Sequence, residues 1–245
     1  MNRVKITLSY DGTRYHGWQI QENAVTVQGT MEKAAEKIFG EHVPLCGCSR
    51  TDAGVHAYNF VCHADLPYLI PLPKIPFAFN ALLPPDIAVK LAEPVPDTFH
   101  ARFSCKGKTY CYRLWNHRIR NPLEADRAGF WPLYLDADKM RAAAQNFLGK
   151  HDFSAFMATG SDVSDPVREI YAFDVKREGD MILFTVSGNG FLYNMVRIMV
   201  GTLIQGDQGK LDRSIPEIIS LKDRTLAGIT MPPQGLYLKM PFYDD

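Results

Sequence analysis

The sequence predicts an α+β protein built from two similar ferredoxin-like halves, whose antiparallel sheets join side by side around a central active-site cleft. Each half begins with alternating apolar and polar residues, which are typical of a half-buried strand, and continues with apolar residues at helical spacing. A second helix and a last strand then follow in both halves. With 245 residues and 46% hydrophobic content, the chain is long enough for two cores.

The first half has clear boundaries for its elements. Val4 to Tyr10 alternates like a strand. The first helix is predicted to start after Thr26, which is a good N-cap, and to stop at Gly40. The second helix is expected within Pro73 to Leu83, and the last strand at Ile87 to Ala92.

The second half repeats this order. A strand is predicted at Thr109 to Trp115, a helix from about Asp138 to Gly149, a second helix at Tyr193 to Ile204 and a last strand at Leu236 to Met240. No low-complexity linker separates the halves, so we expect a rigid unit divided near Ser104. The first half is thus residues 1–103 and the second residues 104–245.

Composition limits the classes of function. Lys and Arg number 27, as do Asp and Glu, so the net charge does not nominate nucleic acid as a partner. No apolar run reaches about 18 residues, and Met1 leads directly into a strand pattern, so we expect a cytoplasmic chain without a membrane segment. The five cysteines lack paired zinc spacing, so we expect reduced thiols and no metal site.

The distribution of charge is less neutral than its sum. From His100 to Arg120 there is no acidic residue, whereas six are cationic and three are Tyr or Trp. Such a strip attracts phosphates and offers rings on which bases can stack. A strand with one solvated basic face and one buried aromatic face explains the same pattern.

The segment Ser49 to Ala57 places one carboxylate, Asp52, in a loop of small residues, with Arg50 two positions before it. Small neighbours let a planar substrate approach the carboxylate, and the cation favours its ionised form. A polar turn between two strands is the alternative interpretation.

This segment resembles the signature of the TruA family of tRNA pseudouridine synthases, and further matching motifs cover most of the chain. One departure is Ser49, where the family more often has Gly, although Ser is also small. The other motifs are Tyr10–Thr13, Tyr15–Gln19, Thr26–Gly29, Asn80 with Leu83–Pro85, Phe99–Phe103, Lys108–Arg113, His151–Ser154, Phe191–Arg197 and Pro233–Leu238.

The resemblance implies conversion of uridine to pseudouridine at positions 38, 39 and 40 in the anticodon arm of tRNA. That reaction involves no redox step and transfers no external group, so no cofactor is expected, and the sequence has no Walker loop. The implied partners are tRNA and a second copy of the chain in a homodimer.

The resemblance also implies four site residues. Asp52, in the first half, would be the catalytic nucleophile; whether it attacks the ribose, attacks the base or removes a ribose proton stays open. Arg50 would enter the RNA as the base leaves the stack. In the second half, Tyr110 would stack on the uracil, and Arg197, among apolar helix residues, would pair with Asp52.

Other interpretations compete with this one. Tyr110 could be an ordinary core residue and Arg50 a solvated one, and His56 and His63 are better explained by packing than by metal binding or acid–base chemistry. A non-catalytic RNA-binding protein with two RRM-like halves is a rival, although it leaves Asp52 without a purpose. A cofactor-free hydrolase using Asp52 and His56 is another, although it does not explain the basic strip.

Overall fold

The computed structural model describes residues 2–160 and 163–244. The strands are β1 (Arg3–Tyr10), β2 (Cys46–Gly47), β3 (His56–Asp65), β4 (Ile87–Pro94), β5 (Gly107–Asn116), β6 (Gly129–Trp131), β7 (Gly149–Asp152), β8 (Val167–Glu178), β9 (Met181–Gly188) and β10 (Leu236–Phe242). The α-helices are α1 (Val27–Phe39), α2 (Ile75–Asn80), α3 (Ala137–Ala144), α4 (Met195–Asp207) and α5 (Ile215–Leu221).

The chain divides into two compact units. Unit 1 consists of Met1–Lys106 and Leu238–Asp245, and unit 2 of Gly107–Tyr237. The expected division after residue 103 therefore differs by a few residues, and the expected assignment of 238–245 to the second half is corrected. The physical reason is that the C-terminal segment is hydrogen-bonded into unit 1, where β10 lies next to β3 and the Tyr243 hydroxyl donates to the Ala101 carbonyl at 2.8 Å.

In unit 1 the sheet has the order β4-β1-β3-β10, and β2 adds to β3. Strand β1 is antiparallel to both neighbours, so that Ile6 lies opposite Cys62 on one side and Ala92 on the other. Its alternation is as predicted, because Val4, Ile6, Leu8 and Tyr10 are buried and the residues between them are half-buried.

Helix α1 has the predicted caps. The Thr26 side chain accepts a hydrogen bond from the Gly29 amide at 3.3 Å, and Gly40 ends the helix with φ 77° in the left-handed region. Met31 and Ala35 on its apolar face are fully buried.

In unit 2 the sheet has the order β5-β9-β8-β7, and β6 runs parallel to β5. Helix α3 is shorter than predicted, since it ends at Ala144 and a single 3-10 turn continues to Phe147. Its N-cap is Asp136, whose carboxylate accepts from the Asp138 and Lys139 amides at 3.0 Å. The predicted start at Asp138 is thus one residue late, since the helix begins at Ala137.

Both units combine an antiparallel sheet with helices, so the predicted α+β class is confirmed. That the sheets join around a central cleft stays a prediction. Within residues 2–160 and 163–244, no helix is long and apolar enough to cross a membrane.

Candidate active site

Asp52 lies in unit 1, in the loop between β2 and β3, and is half-buried. The Val55 amide donates to the Asp52 carbonyl at 3.2 Å, which closes a tight turn. Gly54 has φ 77°, and its amide donates to the Tyr15 carbonyl at 3.1 Å. The backbone around the carboxylate is therefore held by its own turn and by a second loop.

This second loop lies between β1 and α1 and is packed closely against the Asp52 loop at two glycines. A Cβ atom at Gly17, which has φ 80°, would overlap the Thr51 carbonyl oxygen. A Cβ atom at Gly12 would overlap the Val55 carbonyl oxygen. The Trp18 amide also donates to the Thr51 carbonyl at 3.3 Å. The two N-terminal motifs thus bound the turn that carries Asp52, one on each side.

Buried polar contacts fix the inner side of this loop. The hydroxyl oxygens of Tyr10 and Thr51 are 2.8 Å apart and hydrogen-bonded. His56 is 2% exposed, and its Nδ1 accepts from the Gly12 amide at 3.0 Å. These contacts agree with the packing interpretation of His56.

Arg50, by contrast, is exposed. In the part of the chain that is described, its guanidinium has no hydrogen-bond or ion-pair partner. The group is available to a ligand.

Tyr110 lies in unit 2, on β5 opposite Val186 of β9. Its side chain is 6% exposed, and its ring meets the ring of Phe191 edge to face, with the centroids 5.2 Å apart. Two of the matching motifs, Lys108–Arg113 and Phe191–Arg197, therefore touch at this tyrosine.

Arg197 lies on α4 and is half-buried, whereas its neighbours Val196 and Ile198 are buried. Its Nε donates to the Met231 carbonyl and its Nη1 to the Asn194 side-chain oxygen, both at 2.6 Å. Asn194 has φ 59° immediately before the helix, a conformation that Asn tolerates better than most residues. These two acceptors fix the direction of the guanidinium.

The basic strip from His100 to Arg120 differs from a uniform RNA-binding surface. Tyr112 is fully buried, with its hydroxyl donating to the Pro232 carbonyl at 2.9 Å, so it offers no stacking surface. Arg113 pairs with Glu124 at 3.0 Å. Arg118 and Arg120 are exposed, and within the described ranges their guanidinium groups have no partner.

Comparison with known proteins decides the family. A family model for tRNA pseudouridine synthase matches residues 6–104 and 143–244, which is most of the chain. The chain belongs to the tRNA pseudouridine synthase family. The family resemblance of the motifs is therefore confirmed, and the enzyme class is that of an isomerase.

Relatives are similar to this family member over their whole length. The tRNA pseudouridine synthase A of Ruminiclostridium cellulolyticum is 51% identical, with 99% of this chain and 100% of that protein covered. The protein of the same name from Bacillus pumilus is 46% identical over the same shares. The solved structure of an H/ACA RNP bound to a substrate RNA containing 2'-deoxyuridine has a TM-score of 0.42 at 14% identity, with 98% of this chain and 49% of that chain covered.

The four predicted site residues of this family member fall into two groups. Arg50 and Asp52 share one loop of unit 1, and Tyr110 and Arg197 lie in unit 2. Pairing of Asp52 with Arg197 stays a prediction. Sequence reasoning missed the supporting residues Gly12, Gly17, Phe191 and Asn194, although all four lie inside the matching motifs.

Cys46, His63 and His100 are the one group of possible metal ligands among the described residues, with ligand atoms within 4.8 Å of one another. Nδ1 of His63 accepts from the Ala101 amide at 3.1 Å, and Nδ1 of His100 accepts from the Arg102 and Phe103 amides. Each neutral ring therefore carries its proton on Nε2, which leaves no lone pair for a metal. Burial lowers the pKa of His63 to about 4, so this ring is neutral at physiological pH. The hydrogen bonds do not fit a metal centre.

Proposed function

We propose that this chain converts uridine to pseudouridine at positions 38, 39 and 40 in the anticodon arm of tRNA. The observation that carries the proposal is the Asp52 turn, which two glycine contacts and the Tyr15 carbonyl hold in place beside an exposed arginine. A turn held this rigidly suits a group that must meet one atom of a nucleotide. The names of the relatives give the substrate class.

Asp52 is proposed as the catalytic residue because the reaction suits an ionised carboxylate. The bond from uracil N1 to ribose C1' breaks, a bond from C5 to C1' forms, the proton on C5 leaves and N1 gains a proton. Neither electrons nor groups enter from outside, so the chain needs no co-reactant. Attack on C1', attack on uracil C6 and removal of a ribose proton all start from the carboxylate.

Tyr110 and Arg197 are proposed to complete the site. The ring of Tyr110 is braced edge-on by Phe191, which suits it to stack on a base. The guanidinium of Arg197 is held by Met231 and Asn194, which orients a positive charge that can keep Asp52 ionised.

Arg50 is proposed to occupy the position that the uridine leaves. Flipping a nucleotide out of a stack costs a few kcal/mol, which a group that fills the gap can offset. Arg50 is suited to this because it is exposed, lies two residues from Asp52, and has no partner for its guanidinium among the described residues.

We propose that the chain is located in the cytoplasm, where tRNA is modified. We also propose that it acts as a homodimer. An anticodon arm is long compared with one site, so a second copy would supply a docking surface for the rest of the tRNA. Light scattering of the purified chain at working concentration tests the dimer.

The decisive experiment incubates the purified chain with unmodified tRNA and maps pseudouridine, with Asp52→Asn in parallel. We expect pseudouridine at positions 38 to 40 with the native chain. The variant keeps size and hydrogen bonding but lacks the charge, so it should bind tRNA and form no product. Turnover by the purified variant would refute the role of Asp52. Binding without product by the native chain would instead favour the non-catalytic RNA-binding rival.

A further inference from the structure

A pocket of about 340 Å³ lies in unit 1, directly beside the Asp52 loop. Ser49 and Arg50 of that loop line it, together with His63 and Arg102. Cys46, on β2, also lines it. The volume lies within the range of small-molecule sites and is ample for a phosphate group with part of its nucleotide. The proposed reaction of Asp52 does not use this pocket.

The pocket carries two positively charged side chains. Arg50 and Arg102 are both exposed, and in the described part of the chain neither guanidinium has a hydrogen-bond or ion-pair partner. The acidic residue of the lining, Asp65, is already neutralised, because Arg3 donates to both its carboxylate oxygens at 2.8 and 2.7 Å.

The other titratable groups of the lining are uncharged. His63 is neutral because burial lowers its pKa to about 4, and burial raises the pKa of the Cys46 thiol. The pocket therefore presents two unneutralised guanidinium groups, which are the side chains best suited to phosphate.

Arg102 lies in a turn that is held by side-chain hydrogen bonds. Nδ1 of His100 accepts from the backbone amides of Arg102 and Phe103 at 3.2 and 3.3 Å. The His100 amide in turn donates to the Ser104 hydroxyl at 3.0 Å, and the Arg102 guanidinium lies 5.7 Å from the centre of the Phe103 ring. His100 is thus a positioning residue for the arginine.

We infer that this pocket binds a backbone phosphate of the substrate RNA next to the flipped uridine through Arg102, while Arg50, which also lines the pocket, fills the position that the uridine leaves. The inference rests on the proposed function, since it places the RNA strand on the side of the Asp52 loop that faces the pocket. It adds Arg102, and His100 behind it, to the residues that position the substrate.

The first test compares Arg102→Ala with Lys33→Ala, a control that removes one exposed, unpaired cation from α1 of the same unit. Binding of an anticodon-arm RNA is titrated at several salt concentrations. A lost charged contact to phosphate should weaken binding about tenfold, and the log affinity against log salt slope should fall in magnitude by about 0.7. The control should change neither quantity. A slope equal to that of the native chain would overturn the inference.

The second test locates the phosphate. Uncharged methylphosphonates replace the phosphates of the RNA one at a time, and both proteins are titrated with each RNA. At one position we expect the methylphosphonate to weaken RNA binding to the native chain but not to weaken binding to Arg102→Ala any further. The reason is that the methylphosphonate in the RNA and the substitution in the protein remove the same contact. Additive losses at every position would refute a specific phosphate site.

Two readouts separate this inference from the proposed function. The native chain could form pseudouridine while the affinity losses caused by the methylphosphonate and by Arg102→Ala are additive. In that case the phosphate site is refuted and the enzyme assignment stands. If the native chain forms no pseudouridine, the proposed function fails. Arg102 is exposed, so both variants should melt at the native temperature, and a circular dichroism melt confirms that they are folded. Binding of millimolar inorganic phosphate that depends on Arg102 but leaves the affinity for the RNA unchanged would indicate a free-anion site and overturn the assignment to RNA.

Discussion

At the scale of single residues, Tyr110 allows the ring and the hydroxyl to be tested separately. In the proposed role the ring stacks on the uracil, which is worth about 1–3 kcal/mol per base, and the hydroxyl assists proton loss from C5. Tyr110→Phe should therefore retain more activity than Tyr110→Ala, by roughly 10-fold or more in kcat/KM. Single-turnover rates with anticodon-arm RNA measure this. Near-native rates for both variants would show that Tyr110 does not contact the base.

His63 predicts a pH dependence of stability. Its folded pKa is about 4, below the ordinary value near 6.5, so the folded state favours the neutral ring. The resulting stability is fully present above about pH 6.5 and is lost as the pH falls towards 4. Protonation at Nδ1 would also break the hydrogen bond from the Ala101 amide.

Urea unfolding between pH 7 and pH 4 measures this effect. The native chain should lose more stability than His63→Gln, by at most about 3 kcal/mol. Parallel pH profiles of the two proteins would show that His63 does not titrate with folding.

At the scale of elements, the glycine contacts that hold the Asp52 loop can be tested with a matched pair of substitutions. Gly17 and Gly40 share the same left-handed conformation, with φ 80° and 77°. A Cβ at Gly17 meets the Thr51 carbonyl oxygen, whereas a Cβ at Gly40 meets no atom within 4 Å. Both alanine variants pay the conformational cost of about 1–2 kcal/mol, and only Gly17→Ala must move the loop.

We therefore expect Gly17→Ala to lower kcat by about 100-fold, because a displacement of about 1 Å at a reacting group has that effect. Gly40→Ala should lose stability and keep its rate. Chemical denaturation and single-turnover kinetics on both variants separate the two effects. Equal rates would mean that the loop tolerates the displacement.

Elements that depend on interactions between residues close in sequence were predicted more accurately than those that depend on distant residues. Helix α1 was predicted at both ends because Thr26 and Gly40 act on their own helix through hydrogen bonds and φ alone. Helix α3 was placed late because Asp136 and Asp138 are equally good caps, and the structure uses Asp136. The loop expected around Asp52 is present and contains a tight turn, but the glycines that hold it come from 35 or more positions earlier.

At the scale of the whole molecule, unit 1 depends on the far end of the chain. The Lys106 amide donates to the Phe242 carbonyl at 2.9 Å, and the Asn59 side chain donates to the Lys239 carbonyl at 3.1 Å. Deleting 238–245 should therefore expose one side of β3 and lower the melting temperature of unit 1 by about 10 °C or more.

Hydrogen exchange monitored over β3 and over β9 tests this dependence. The amides of β3 should lose protection while those of β9 in unit 2 keep more of theirs. Deletion of 244–245 alone, which leaves all of β10, is the control. Undiminished protection of β3 after the longer deletion would contradict the assignment of this segment to unit 1.

Periodicity and caps predicted the α+β class and, of the elements in the described residues, four of ten strands (β1, β4, β5 and β10) and four of five α-helices (α1 to α4). The resemblance of the motifs indicated the family and the candidate residues Arg50, Asp52, Tyr110 and Arg197. Periodicity and caps depend on residues that are close together in the chain, and motifs are recognised directly from residue identities. Only the tertiary structure decided that Gly12 and Gly17 contact the Asp52 turn and that 238–245 belongs to unit 1. It also decided the tautomers of His63 and His100, through their hydrogen bonds to backbone amides. These outcomes depend on contacts between residues far apart in the chain, whose partners local periodicity does not identify.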